Sequence, residues 1–145
     1  PGVSSFCGAA AALRAEYTLP DVSQTVIITR MAGRTPVPEK ESIAALAAHN
    51  ATMVIFLSTG LLKELSAELI RGGYKPDTPA AIVYKASWAD QKVCRCTVED
   101  LAQTASDNGI TKTALICVGY FLGNDYSLSK LYDKSFETEF RKAEI

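Results

Sequence analysis

The sequence predicts an α/β fold, a mostly parallel, mixed sheet of about five strands with helices on both faces. Three observations carry this expectation. Short β-branched or apolar runs at residues 25–29, 52–57, 79–84, 92–97 and 113–118 are separated by turn signals. Most gaps between them hold apolar residues at helical spacing, and strands joined by helical crossovers run parallel, with the helices packed on the sheet faces. The 145 residues suffice for one domain, which at this size buries roughly two thirds of the surface its unfolded chain exposes.

The first element is a helix capped by Ser4 or Ser5, with Phe6, Ala9, Ala10 and Leu13 on its inner face and Pro20 forbidding continuation. Residues 25–29 read as a strand buried on both faces, which empties into a Gly- and Pro-rich basic loop over residues 31–38. Pro38 suits the first turn of a second helix, Glu39 and Glu41 suit its positive end, and Ile43, Leu46 and Ala47 face inward as far as Asn50. After the strand at residues 52–57, Leu61, Leu65 and Leu69 recur every four positions in a helix that stops at Gly72 and Gly73. The strands at residues 79–84 and 92–97 are too close for a helical crossover and are expected to pair antiparallel. Thr97 and Asp100 resemble a capping box for a helix carrying Val98, Leu101, Ala102 and Ala105, with Asn108 and Gly109 as its stop before the fifth strand. Leu131, Tyr132, Phe136 and Phe140 read as a terminal segment docking through aromatic anchors.

Composition excludes several functions. Hydrophobic residues at 48% and charged residues at 21% describe a soluble globular domain. A formal net charge of -1 provides no global positive field for a nucleic-acid backbone. No apolar run approaches the ~18 residues that cross a bilayer, and no signal peptide is visible, so a cytoplasmic location is expected. Cys7, Cys94, Cys96 and Cys117 include no Cys-x-x-Cys pair, which predicts buried, reduced thiols and neither zinc nor disulfides. His49 is the single histidine, so no Ser-His-Asp arrangement or histidine-based metal site is expected. Neither Gly-x-Gly-x-x-Gly nor a Walker A sequence occurs, which disfavours NAD and ATP enzymes. Glu39, Glu41, Glu64 and Glu68 fall on solvent faces and make no convincing acid/base pair. No catalytic side chain is predicted.

Ligands of such sheets sit beyond the carboxyl ends of the strands, here residues 30–38, 58–60 and 85–90. In the first of these loops, Arg30 and Arg34 stand four residues apart within Arg30-Met31-Ala32-Gly33-Arg34-Thr35-Pro36-Val37-Pro38. Two guanidinium groups in a Gly- and Pro-shaped loop can fork onto carboxylates. The alternative is a structural loop with two solvated arginines, and spacing alone favours neither.

At this loop the sequence resembles the tetrapyrrole methylase family, and within it the branch that acts on ring carbon 11 of cobalt-precorrin-4 in cobalamin synthesis. The matching stretch runs from Thr29 through Glu39. Pro1-Gly2-Val3-Ser4-Ser5-Phe6 is similar to the family's Pro-Gly-(Ile/Val)-(Ser/Thr)-(Ser/Ala) segment. Residues 52–57 and 79–83 resemble two of its strands, and Leu131-Tyr132-Asp133 with Phe136, Phe140 and Arg141 resembles the end of the carbon-11 enzymes. The chain departs from the pattern at Lys85-Ala86-Ser87, where relatives carry a glycine, and at residues 136–140, which lack a histidine often found there.

The resemblance implies that residues 1–145 are the C-terminal half of a methylase, the N-terminal donor-binding domain being absent from the sequence at hand. It also implies S-adenosylmethionine as co-substrate, a tetrapyrrole as the small-molecule partner, and a homodimer, with no nucleic-acid or membrane partner. By position, Ser4, Ser5, Leu57 and Ala86 match donor-binding residues, Leu57 standing where Met is common. Arg30, Arg34 and Thr35 become the candidate substrate contacts, with the arginines on the acetate and propionate arms of the macrocycle. The donor is already activated, so such a site works by alignment in a desolvated cleft, consistent with the lack of a strong nucleophile or base. Competing expectations are another acceptor within the family, such as uroporphyrinogen, precorrin-2 or a diphthine-type substrate, and a binding or dimerisation module that kept the fold without the activity.

Overall fold

The computed structural model describes residues 2–125, 127, 135–137, 139–140 and 142. The elements run α1 (Ser5–Leu13), β1 (Val26–Arg30), α2 (Ile43–Ala47), β2 (Thr52–Phe56), α3 (Leu62–Gly72), β3 (Pro79–Tyr84), β4 (Lys92–Thr97), α4 (Leu101–Asp107) and β5 (Ala114–Val118). Short 3-10 turns occupy Glu39–Glu41, Thr59–Leu61 and Tyr120–Leu122.

The sheet is five-stranded and mixed, as expected, in the order β1-β2-β5-β3-β4. Strands β1, β2 and β3 point the same way. The parallel character is nevertheless confined to the β1–β2 ladder, because β5 lies between β2 and β3 and runs against both. The cause is the β3–β4 hairpin, which reverses the chain with Tyr84 opposite Lys92. The α4 crossover then preserves that reversed direction into β5.

Alternation along the central strands builds two cores. Met53, Ile55, Ile82 and Ile116 face α2, α3 and α4 together with Ile43, Leu65, Leu69 and Leu101. Val54, Ala81, Val83 and Cys117 face α1 and the turn after β5 together with Ala9, Leu13, Tyr17 and Phe121. Helices therefore cover both faces.

Several local expectations are corrected. β1 is an edge strand rather than one buried on both faces, and Ile28 is 48% exposed. The helix expected from Pro38 to Asn50 is interrupted at Ser42, whose extended backbone (φ -59, ψ 150) lets its Oγ accept from the Ala45 amide at 3.3 Å. Serine competes well with helical bonding in this way and becomes an N-cap. Ser4 holds the N-cap position of α1 but makes no side-chain cap bond. The capping box before α4 does not form, because the Thr97 hydroxyl donates to the Asp100 carboxylate at 2.6 Å instead of accepting from the backbone. All four cysteines are free, with Cys117 buried, Cys94 and Cys96 half-buried and Cys7 exposed, so burial fails for Cys7. Phe136 and Phe140 are 38% and 89% exposed and are not buried anchors. Leu131 and Tyr132 lie outside the described residues.

Candidate functional site

The carboxyl ends of β1, β2 and β3 and the amino end of β5 share one rim of the sheet. Backbone and serine bonds knit it together. Ser58, fully buried just past β2, donates to the Phe56 carbonyl at 2.8 Å and accepts from the Met31 amide at 3.2 Å, tying the exits of β1 and β2. The Lys85 amide donates to the Thr113 carbonyl at 2.9 Å, tying the exit of β3 to the start of β5. Leu57, Lys85, Ser87 and Thr113 along this rim all hold left-handed backbones, with φ of 55, 46, 72 and 58. Such conformations cost of order 1–3 kcal/mol each in non-glycine residues and cluster where a fold presents ligands.

The structure brings the four donor-site candidates to this rim. Leu57 follows β2 directly, and its side chain is 84% exposed. Ala86 follows β3, and its Cβ lies 3.5 Å from where a Cβ on Gly8 would stand, so the first turns of α1 rest beside the β3 exit. Ser4 and Ser5 open that helix and are exposed. Phe6, Phe56 and Ala86 are partly buried and pack against the same core layer. Ser4, Ser5 and Leu57 are exposed, so the rim presents these positions as a face open to solvent.

The arginine loop flanks the rim at the β1 exit. Arg34 and Thr35 are exposed. Arg30 is turned onto its own loop, its Nη1 donating to the carbonyls of Met31 (3.4 Å) and Thr35 (3.2 Å) and its Nη2 to that of Pro36 (2.8 Å). On the opposite flank, the Lys85 ammonium pairs with Asp90 and lies 5.1 and 5.2 Å from the ring centroids of Tyr84 and Trp88. That bond holds the Lys85 pKa above and the Asp90 pKa below their ordinary values. The Ser87 amide donates to the Gln91 side chain at 2.7 Å, bracing the same turn.

Sequence reasoning included residues 58–60 in the region to search but assigned Ser58 no role. Its signal is a serine placed directly after an apolar strand. Among the described residues no cluster of His, Cys, Asp and Glu could hold a metal ion. No helix among them is long and apolar enough to cross a membrane.

With this rim in place, the comparison that decides the family is a match to the tetrapyrrole (corrin/porphyrin) methylases over residues 1–102. The chain belongs to the tetrapyrrole methylase family. It is 55% identical over 144 residues to a methylase-family relative from Methanocaldococcus jannaschii, a cobalt-precorrin-4 C(11)-methyltransferase, covering 99% of this chain and 56% of that protein. An enzyme of the same name from Priestia megaterium is 50% identical, over 98% of this chain and 57% of its own length. The chain thus spans a little over half the length of these curated relatives. Identity falls to 28% for a uroporphyrinogen-III C-methyltransferase of Bacillus subtilis, with 100% of this chain and 54% of that protein covered. Among solved structures, a cobalamin biosynthetic enzyme, cobalt precorrin-4 methyltransferase, superposes with a TM-score of 0.83 at 50% identity, covering 86% of this chain and 52% of that one. A uroporphyrin-III C-methyltransferase from Thermus thermophilus, complexed with S-adenosyl homocysteine, shares the methylase fold at a TM-score of 0.63 and 19% identity, over 85% of this chain and 50% of its own.

Proposed function

We propose that this chain is the C-terminal half of an S-adenosylmethionine-dependent methyltransferase acting on ring carbon 11 of cobalt-precorrin-4. The observation that carries this reading is the 55% identity to the Methanocaldococcus jannaschii relative across 99% of the chain. The steep fall to 28% for the uroporphyrinogen enzyme favours this acceptor over the alternative one.

The rim supplies what such chemistry asks of a protein. The acceptor carbon attacks the methyl group of the sulfonium, a C–C bond forming as the methyl–sulfur bond breaks, and S-adenosylhomocysteine leaves with the electron pair. No side-chain nucleophile takes part, so rate comes from alignment and exclusion of water. Exposed Leu57, with the partly buried Phe6, Phe56 and Ala86 of the same core layer, offers apolar surface for the donor. Ser4 and Ser5 offer hydroxyls and the first free amides of α1, and the loop carrying Arg30, Arg34 and Thr35 receives the carboxylate arms of the acceptor. An open face of this kind fits a donor cleft closed by a second, N-terminal domain, in a cytoplasmic homodimeric enzyme. The test is incubation of this chain, fused to the N-terminal half of the Methanocaldococcus jannaschii relative, with S-adenosylmethionine and cobalt-precorrin-4. A product carrying one added methyl group at carbon 11 supports the assignment; transfer to uroporphyrinogen alone contradicts it.

A further inference from the structure

We infer that the two arginines of the loop after β1 divide its work, with Arg30 as a positioning residue that shapes the loop and Arg34 as the residue that meets a carboxylate of the ligand. The inference rests on the reading that this loop takes the acceptor's carboxylate arms.

The loop from Met31 to Pro38 lacks regular structure, and Pro36 and Pro38 have no amide hydrogen, so few internal donors are available for its carbonyls. The Arg30 guanidinium supplies them. It spans from the Met31 carbonyl at the start of the loop to those of Thr35 and Pro36 beyond its crown. The Thr35 carbonyl also accepts from the Gly33 amide at 3.2 Å, which closes the crown from Gly33 to Thr35 with Arg34 between them. A rigid planar fork reaches three acceptors in this way, and a single ammonium on a flexible stem does not.

Three of the five N–H donors of Arg30 are bonded to loop carbonyls, and an incoming carboxylate would meet the repulsion of those carbonyl oxygens around the guanidinium. Arg34 presents the opposite situation. It projects from the crown, is exposed, and makes no hydrogen bond or ion pair with any described residue. All five of its N–H donors remain available for a forked pair. The Met31 amide bond to Ser58 fixes the base of the loop, so the position of Arg34 is set from both ends.

The experiment uses this chain and its Arg30→Lys, Arg34→Lys, Arg34→Ala and Arg30→Lys/Arg34→Ala variants. Amide exchange is read at Gly33, with the β2 and β5 amides as the reference for intact folding. Arg30→Lys is expected to speed Gly33 exchange ~10-fold or more through loss of the bracing bonds, with the two strands unchanged. Arg34→Lys leaves Gly33 at the wild-type rate. Binding is read by titrating uroporphyrin III, a polycarboxylate tetrapyrrole, and following quenching of Trp88, the single tryptophan of the chain. Arg34→Ala is expected to weaken it ~10-fold, the scale of one lost charge-assisted bond, and Arg30→Lys to weaken it comparably. The double variant is then no weaker than Arg34→Ala. Unchanged Gly33 exchange in Arg30→Lys overturns the shaping role, and fully additive losses overturn the division. If neither the wild-type chain nor its fusion to the N-terminal half of the Methanocaldococcus jannaschii relative binds uroporphyrin while Gly33 responds as expected, the carboxylate-loop reading fails and the shaping role of Arg30 stands.

Discussion

Leu57 holds a left-handed backbone at φ 55 while its side chain is 84% exposed, so neither local conformation nor burial accounts for a leucine there. Its identity serves the rim rather than the core. Leu57→Gly removes an entire leucine side chain, yet stability of the chain is expected to stay within ~1 kcal/mol, because relief of backbone strain offsets the added freedom of the unfolded chain. Donor affinity, measured with the N-terminal half present, is expected to fall. A large loss in a urea titration, or undiminished donor binding, would contradict this account. Cys117 shows the reverse case, a polar group chosen for the core. Burial pushes its thiol up to about 12 although the Tyr17 hydroxyl, 3.8 Å away, favours the thiolate. Burial also raises the Cys96 thiol to about 11 and moves the Tyr17 and Tyr74 hydroxyls upward. The folded state therefore holds these protons more tightly than the unfolded one. Stability is intact below the ordinary thiol range near 9 and declines as pH rises from there toward about 12. Thermal melts under reducing conditions should show a falling midpoint across that window; a flat profile would mean that these groups are open to water.

At the scale of elements, the tightest constraint lies where α2 meets α3. A Cβ on Gly72 would stand 2.5 Å from both the Ala44 carbonyl oxygen and the Ala47 Cβ, contacts that side chains cannot make. Gly→Ala inside a helix ordinarily stabilises, since glycine is entropically costly there. Here Gly72→Ala is expected to destabilise by roughly 1–3 kcal/mol through forced separation of the helices. Chemical denaturation reads the sign directly, and a stabilised variant would show that the helices are farther apart. Element types were legible from periodicity because core burial enforces it, as at Val54 facing one layer and Met53 and Ile55 the other. Boundaries were less so. Ser42 can serve as helix interior or cap, and only tertiary packing decides between them. The edge position of β1 was hidden because Val26 to Thr29 has the same β-branched look as a central strand. The direction of β5 follows from the hairpin and crossover that the sequence did suggest, but its insertion between β2 and β3 is a long-range choice that no local signal encodes.

For the molecule as a whole, the donor-site candidates gather on a single sheet edge from three distant stretches of sequence: Ser4 and Ser5, Leu57, and Ala86. Strand order makes this possible, since β2 and β3 point their carboxyl ends the same way with only β5 between them. The sequence pointed to this edge through the general rule for open α/β sheets, and the family resemblance picked out the residues. What it could not reveal is that Arg30 commits three of its donors to its own loop, because a guanidinium binding carbonyls and one binding a ligand look alike in one dimension. The face is open, and the chain spans a little over half of its curated relatives, so the central claim is that the donor cleft forms only when a second domain covers this rim. Isothermal titration of S-adenosylhomocysteine tests it most directly, with this chain alone and with the chain fused to the N-terminal half of the Methanocaldococcus jannaschii relative. The account predicts micromolar binding by the fusion and little by the chain alone. Absence of binding by the fusion would contradict it.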